Sequence, residues 1–491
     1  VKKNPYYVHN QSTNNAVCGI MERVYFVKDE DPNPLFPGLP FKVCPRPHRN
    51  AFRRMLGPTV NQLRRLLPHS TPWSHQEFVA SYAGQGRKQM RYAAAAEELK
   101  LQTYPDSYYA RMKSFIKYDK VHKKRSAPRL IQPRTPHYNI KVGRFLRKIE
   151  KRILKSLNKL YKEQTNVVLK GYNAKVTAER IKAKWDKFRD PVFIGLDASR
   201  FDQHVSVDAL KFEHSVYLQC FRGDDRTELA KLLRLQLKNI GRMYMKNCTI
   251  KYEVEGNRMS GDMNTGLGNI LIMCVLCRQF ATDVALAKYE YINNGDDCGF
   301  IVERDQQQLI LENLDEWFAV FGFEMKVEGV FDSLYSILFC QCQLIETQDG
   351  PVMVRSFPNS MYKDLVSVKP LKNKGAYDKH RKAISDCGLS LTDGVPVYNA
   401  FYRMLARGAG DIADRDDALT GMSFMASNMT YTNKQISPQA RYTFWRAFGV
   451  LPDEQIAMER ELDRMLLSFD GDAPKDISEE QSIFYTDVIT T

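Results

Sequence analysis

No apolar run in these 491 residues is long enough to cross a bilayer. The strongest, Ile270-Leu-Ile-Met-Cys-Val-Leu-Cys277, has only about half the length that a membrane helix needs. No internal repeat recurs and no long Gly/Ser- or Pro-rich linker divides the chain, so neither a repeat array nor a tethered pair of units is indicated. The ten cysteines lack paired metal-ligand spacing. Cys274 and Cys277 form a lone Cys-x-x-Cys without a second pair or a histidine nearby, and Cys340 and Cys342 alternate within Leu338-Phe-Cys-Gln-Cys-Gln-Leu344 as a strand would. This argues against structural zinc and a disulfide scaffold, and for free, mostly buried thiols in a reducing cytoplasm. No signal peptide opens the chain at Val1-Lys-Lys-Asn-Pro5, and without an initiator Met an upstream targeting segment stays open.

A surplus of acid is missing too. The chain carries 72 Lys and Arg against 57 Asp and Glu, a net charge of +15 with pI ≈ 9.2, which favours a polyanionic partner, RNA or lipid. Between Arg111 and Lys159 there are seventeen basic residues and two acidic ones, a run that repels itself unless an anion lies nearby. Its second half, Lys141 to Lys159, has apolar residues at helical spacing; its first half, Lys117 to Arg134, contains Pro128 and Pro133 and reads as strand or loop.

The length implies two or three subdomains. Residues 1 to about 60 are Pro-studded and read as an irregular arm wrapped over another domain. Helices are expected around Asn61–Leu67, Ala93–Lys100, Ala174–Trp185, Val207–Arg242 and Gln306–Phe321. Strands are expected over Pro191–Leu196 and Cys248–Glu255, and a hairpin over Tyr289–Asn294 and Cys298–Val302. Beyond about residue 346 the pattern is mostly helical, with an acidic, loosely held end after Asp470.

Within this basic chain, three polar segments adjoin apolar stretches: Leu196-Asp197-Ala-Ser-Arg-Phe-Asp202, Ser260-Gly-Asp-Met-Asn-Thr265 and Asn294-Gly-Asp296-Asp297-Cys298. Asp197 at a strand end and Asp296 at a hairpin tip suit divalent cations, which prefer hard oxygen ligands; Asp297 adjoins the pair. Asn-Gly-Asp-Asp is equally good turn chemistry, and Ser260, Asp262 and Asn264 are equally good helix caps. The order of the three segments is what goes beyond those readings.

That order resembles the RNA-dependent RNA polymerases of positive-strand RNA viruses, most closely the tombusvirus-like group. Phe193–Val205 is similar to their motif A, Arg258–Asn269 to motif B, and Asn294–Asp297 to motif C. Pro128–Arg134 resembles motif F, Phe323-Glu-Met-Lys326 motif D and Phe339-Cys-Gln-Cys342 motif E, while Lys170-Gly-Tyr-Asn173 is similar to a further segment of the group. Motif B carries Gly266 where many relatives have Ala.

The resemblance implies catalysis with two Mg²⁺ or Mn²⁺ ions on Asp197 and Asp296, with Asp297 supporting. It implies that Asp202 and Asn264 select the ribose 2′-hydroxyl, with Ser260 and Thr265 beside them. Arg129, and with it Lys117, Lys120 and Arg134, would neutralise the triphosphate. Lys326 would be a general acid, its alternative being a solvated lysine on a strand. Lys123, Lys124, Arg125 and Gly261 would contact RNA.

The implied fold is α+β, a right hand with an antiparallel palm sheet and closed fingertips. Residues 1–190 would form the arm, fingertips and fingers, 191–215 the motif A part of the palm, and 216–257 a fingers insertion. Residues 258–345 would complete the palm, and 346–491 form the thumb and tail. Partners would be single-stranded RNA template, nascent RNA and ribonucleoside triphosphates, with a viral membrane-anchoring replication protein and host factors at cytoplasmic membranes. Initiation would need no primer. A reverse transcriptase is the enzymatic rival, and a non-catalytic viral RNA-binding or capsid-like protein the other.

Overall fold

The computed structural model describes residues 6–28, 41–122, 126–162, 166–368, 371–411, 420–469 and 475–477. The amino-terminal stretch is more regular than its prolines suggest. Strand Tyr7–His9 leads to a helix, Thr13–Ile20, that continues into a π-helical turn, Met21–Tyr25. Ser12 caps this helix by accepting from the Asn15 amide, a start signal that the nearby prolines mask.

Strand β1 (Met112–Lys113) is followed by helix α1 (Pro136–Leu160). Thr135 caps α1, and Pro136 sits in the first turn, where a missing N–H costs nothing. Helix Ala174–Trp185 has the expected bounds, and its buried Lys184 pairs with Glu290 at 2.6 Å. Strand β2 (Pro191–Ala198) and helix α2 (Val207–Gln219) follow.

The helical reading of Val207–Arg242 fails at its end. After a second helix, Gly223–Arg234, the chain forms strand β3 (Lys238–Tyr244), antiparallel to β4 (Thr249–Glu255). The leucines that set the helical period stop at Leu237, and alternation takes over: Lys238, Ile240 and Tyr244 are exposed, while Asn239, Gly241 and Met243 are buried. Gly241 is needed because the Tyr252 ring lies where its Cβ would be, 2.2 Å from Cζ.

Helix α3 (Thr265–Asp283) is the core helix, with Ile270 to Cys277 all at 0% exposure. At 19 residues it is longer than its apolar run suggests and meets the length and composition of a membrane span, yet it is mostly buried inside the protein. The hairpin β5 (Tyr289–Asn294) and β6 (Asp297–Glu303), helix α4 (Gln307–Ala319) and strand β7 (Met325–Phe331) come next. Hairpin β8 (Cys342–Thr347) and β9 (Gly350–Arg355) then precede the mainly helical carboxy-terminal part. The strand expected across Leu338–Leu344 starts only at Cys342. Cys340 and Gln341 have φ of 51° and 59°, a left-handed turn closed by reciprocal 3.0 Å bonds between Phe339 and Cys342.

The fold is thus a mixed α and β one with antiparallel sheets. The central sheet runs β5-β6-β2-β7, every pair antiparallel. Residues on one face (Ile194, Leu196, Phe300 and Val302) join the core around α1, α3 and α4. On the other face Phe193, Ile292 and Ile301 pack with β8, β9 and the carboxy-terminal helices. All ten cysteines are free, as expected.

Candidate active site

Strand register places the acidic residues. Leu196 pairs with Cys298, so the next step of the antiparallel register brings Asp297 beside Asp197, and Asp197 pairs on its other side with Lys326. Asp297, Asp197 and Lys326 therefore form one row across three strands, all of them exposed. Asp296 stands at the hairpin tip, also exposed, after Gly295 at φ 101°. The tip is fixed from behind by fully buried Asn293, which donates to the Gly295 carbonyl at 2.7 Å and accepts from its amide at 3.0 Å.

The adjoining row is Gly299, Gly195 and Gly329. The rings of Phe193 and Phe331, stacked at 6.1 Å, cover it; a Cβ on Gly299 would lie 2.3 Å from Phe193. The carboxylate row thus adjoins a glycine row covered by two aromatic rings. Partial burial raises the Asp297 pKa, and Asp296 and then Asp197 push it further while a Cys340 bond opposes. Glu328, in a bulge of β7, is raised by partial burial, then by Asp297 and Asp197. It is a fourth carboxylate near the row, on the same face as Lys326, and the sequence reading did not single it out.

Asp202 follows Arg200, whose left-handed φ of 47° curls the chain back after β2. Its Oδ1 accepts from Asn269 Nδ2 at 2.9 Å and its carbonyl from the Arg258 amide at 2.7 Å. Burial raises its pKa; Asn269 and Arg258 oppose this, and Asp296 and Asp262 add to it, so Asp202 shares the electrostatic neighbourhood of the hairpin tip.

Asn264 is placed differently from the sequence reading. It is at 0% exposure, donating to Glu213 at 2.6 Å and exchanging bonds with Gln236 at 3.0 and 3.1 Å. The amide that meets Asp202 is Asn269, one turn into α3. Glu213 also accepts from Tyr217 and pairs with Arg258, both partners fully buried. Gly268 lets them approach, since a Cβ there would lie 2.3 Å from Arg258 Nη2.

The Ser260 carbonyl accepts from the Gln132 amide, and its side chain is half-buried at the loop. Gly261 is exposed at φ 124° with Pro133 against it, and the Thr265 hydroxyl donates to the carbonyls of Met259 and Asp262.

The basic residues divide. Arg134, 3% exposed, spends its guanidinium on Asp262, the Ala110 carbonyl and Asn239, so it holds the loop and cannot face a triphosphate. Lys120 donates to the Lys363 carbonyl, and burial brings its pKa down to about 8 against the pull of Asp364; it is a tether to helix Asn359–Asp364. Lys117 and Arg129 sit 3.2 and 3.5 Å from Asp119, with the Arg129 side chain more than half exposed. Arg23 lies near Arg129 and Arg200: burial, then Arg200 and Arg129, lowers the Arg23 pKa to about 10, while Arg200 itself is paired with Glu22 at 3.2 Å. The sequence reading missed Arg23 and Arg200, because only the fold brings residue 23 to this place. Lys123, Lys124 and Arg125 lie outside the described residues.

Beside the Gly261–Met263 loop opens a cleft of about 520 Å³ whose walls include Tyr82, Lys88, Arg91 and Arg147. Lys88 and Arg147 lie over the Tyr82 ring at 4.8 and 4.1 Å, and the buried Asn139 Oδ1 has no hydrogen-bond partner.

The family model described as viral RNA dependent RNA polymerase matches residues 1–470. The RNA-directed RNA polymerase of Tobacco necrosis virus (strain D) is 38% identical over 466 residues, covering 92% of this chain and 62% of the relative. That of Carnation mottle virus is 37% identical over 464 residues, 93% of this chain and 58% of the relative. That of Tomato bushy stunt virus (strain Cherry) is 35% identical over 478 residues, 96% and 56%. The chain thus spans about three-fifths of the length of the curated relatives it matches. With the order of its motifs and the match over nearly its whole length, the chain belongs to the viral RNA-dependent RNA polymerase family.

Proposed function

We propose that the protein joins ribonucleotides on a single-stranded RNA template, as the catalytic part of a positive-strand virus replicase. The observation that carries this reading is the row Asp297–Asp197 beside the Asp296 tip, with Asp202 and its Asn269 partner alongside. On this open face burial, Asp296 and Asp197 together raise the Asp297 pKa, a repulsion between carboxylates that a bound cation would relieve. Among the described residues no group of three His, Cys, Asp or Glu side chains is placed to hold a metal ion. Mg²⁺ and Mn²⁺ need none, because they keep waters and share substrate phosphates. Asp197 and Asp296 would hold two such ions, with Asp297 supporting. When bound, the ions supply activation of a 3′-hydroxyl and charge neutralisation at the leaving pyrophosphate.

The chain's own groups do the rest. Arg129, with Lys117 and Arg23 beside it, offers positive charge to a triphosphate. Asp202, held by Asn269, is the acceptor for a ribose 2′-hydroxyl. Lys326, in the row with Asp197, is the donor that protonates pyrophosphate. The cleft with Tyr82, Lys88, Arg91 and Arg147 is the template path, where backbone charge and ring stacking bind RNA without regard to sequence.

In this reading the central sheet is the palm (191–215 and 258–345), residues 1–190 and 216–257 the arm, fingertips and fingers, and 346–491 the thumb and tail. Fingertip closure is supported by Tyr6 donating to the Asn359 carbonyl at 3.1 Å and by the Lys120 tether. Initiation is primer-independent, and a viral membrane-anchoring protein, host factors or sequence outside these residues brings the enzyme to cytoplasmic membranes. The test is incubation with a short RNA of defined sequence, four ribonucleotides and Mg²⁺ or Mn²⁺. A complementary product supports the reading; RNA binding without synthesis in either metal counts against it.

A further inference from the structure

Away from the acidic row, the sheet β1-β3-β4 leaves one face uncovered. Lys113 pairs with Arg242 and Arg242 with Lys251, so three cations stand in one row across three strands. Like charges set directly opposite destabilise a sheet. None of the three side chains has a carboxylate partner among the described residues, and the buried Arg242 Nε has no hydrogen-bond partner at all. Nearby acids are already engaged: Glu253 with Lys238 at 2.6 Å, Glu98 with His137 at 2.7 Å, and Asp106 with Lys141 at 2.6 Å.

The row borders a cavity of about 530 Å³ lined by Arg242 and Lys113 together with Tyr104, Tyr108 and Tyr244. Those tyrosines are 46%, 48% and 60% exposed. The Tyr104 and Tyr108 rings lie 5.0 Å apart, and the Arg111 guanidinium sits 5.6 Å over Tyr108. No member of the acidic row is among its walls.

We infer that this cavity is a second single-stranded RNA site, outside the catalytic cleft, in which Tyr104, Tyr108 and Tyr244 stack bases while Lys113 and Arg242, with Lys251 next to Arg242 on the adjoining strand, bind phosphates. Exposed rings interleaved with unneutralised cations are the chemistry of sequence-tolerant single-strand binding. A concave, ring-lined cavity suits a base better than a lipid surface, and an acidic peptide would leave the rings unused. The inference rests on the polymerase reading only in its choice of RNA as the polyanion. The RNA is either an outer stretch of the template itself or a separate strand.

The test is photocrosslinking of 4-thiouridine RNA to the full chain and to its Asp296→Ala variant, so that catalysis is not required. Crosslinks within 104–113 and 242–251 are expected in both. In the variant Y108A/R242A/K251A, affinity for an RNA long enough to reach both sites falls on the order of tenfold. The slope of log affinity against log salt flattens by roughly 0.7 per cation removed. Unlabelled non-template RNA added to a template complex removes these crosslinks if the strand is separate and leaves them if it is the template. Crosslinks confined to the catalytic cleft, with affinity and slope unchanged in the variant, overturn the inference. So does a loss of binding to phosphatidylserine vesicles or an acidic peptide with RNA binding intact. Failure of the polymerase reading is seen separately, as absence of synthesis by the unsubstituted protein.

Discussion

The acidic row on the open face and the buried cluster of Glu213, Arg258, Asn264 and Gln236 behind it treat polar groups in opposite ways. In the row, Asp197, Asp296 and Asp297 are exposed and crowd one another, so their charge is available to a ligand. In the cluster, each charge and amide is taken up by another side chain, and nothing is left for a substrate. Asp202 stands between them, one oxygen held by Asn269 and its pKa pushed up by burial and, to a lesser degree, by Asp296. Chemistry belongs to the first region and positioning to the second. Charge on a surface costs the fold little, whereas a buried ion pair is costly to break.

The sharpest way to break this contrast is Glu213→Gln, which leaves Arg258 buried without its counter-charge. A loss of about 3–5 kcal/mol in unfolding free energy is expected, measured by urea denaturation. A loss of activity with unchanged stability would move Glu213 into the first region.

Next is pH. Burial holds the His214 imidazole down at about 4, with Glu213 opposing, while an unfolded histidine titrates near 6.5. Between those values the unfolded chain binds the proton and the folded chain does not, so stability falls as pH drops from 6.5 toward 4. The span is worth up to about 3 kcal/mol. Denaturation across that range should lose this slope in His214→Gln.

Asn269→Ala should weaken ribo- over deoxyribonucleotide preference by roughly tenfold, the worth of one hydrogen bond to a charged group. Asn264→Ala should lower the melting temperature and leave that ratio alone. Competing incorporation of the two sugars reads both.

The smallest effect is Gly266→Ala. The new Cβ meets only the flexible end of Lys170, 2.3 Å from Nζ, which can move. Alanine is the better helix former, so a gain of up to about 1 kcal/mol is expected by calorimetry.

Local signals made much of this legible in the sequence. The Asn294–Asp297 turn, the Asp197 strand, helix Ala174–Trp185 and the Lys141–Lys159 part of α1 follow from turn chemistry and local periodicity. What failed depended on distant partners. Asn264 and Asn269 are both amides at the start of α3, and only Glu213, from a separate helix, decides which one turns inward. Arg134 stands in a basic run but is buried by Asp262, 128 positions away. Lys120 reads as a triphosphate ligand until the 359–364 helix docks on it. Strand β3 was hidden because the leucine period before it carried the helical reading past Leu237.

The measurement that tests the central claim most directly is template-directed ribonucleotide incorporation and thermal unfolding of the protein and its Asp296→Asn variant, side by side. Synthesis should disappear in the variant while the melting temperature holds or rises, because a carboxylate that crowds its neighbours has been neutralised. Synthesis retained in the variant, or lost only because the variant unfolds, would contradict the assignment of the acidic row as the site of chemistry.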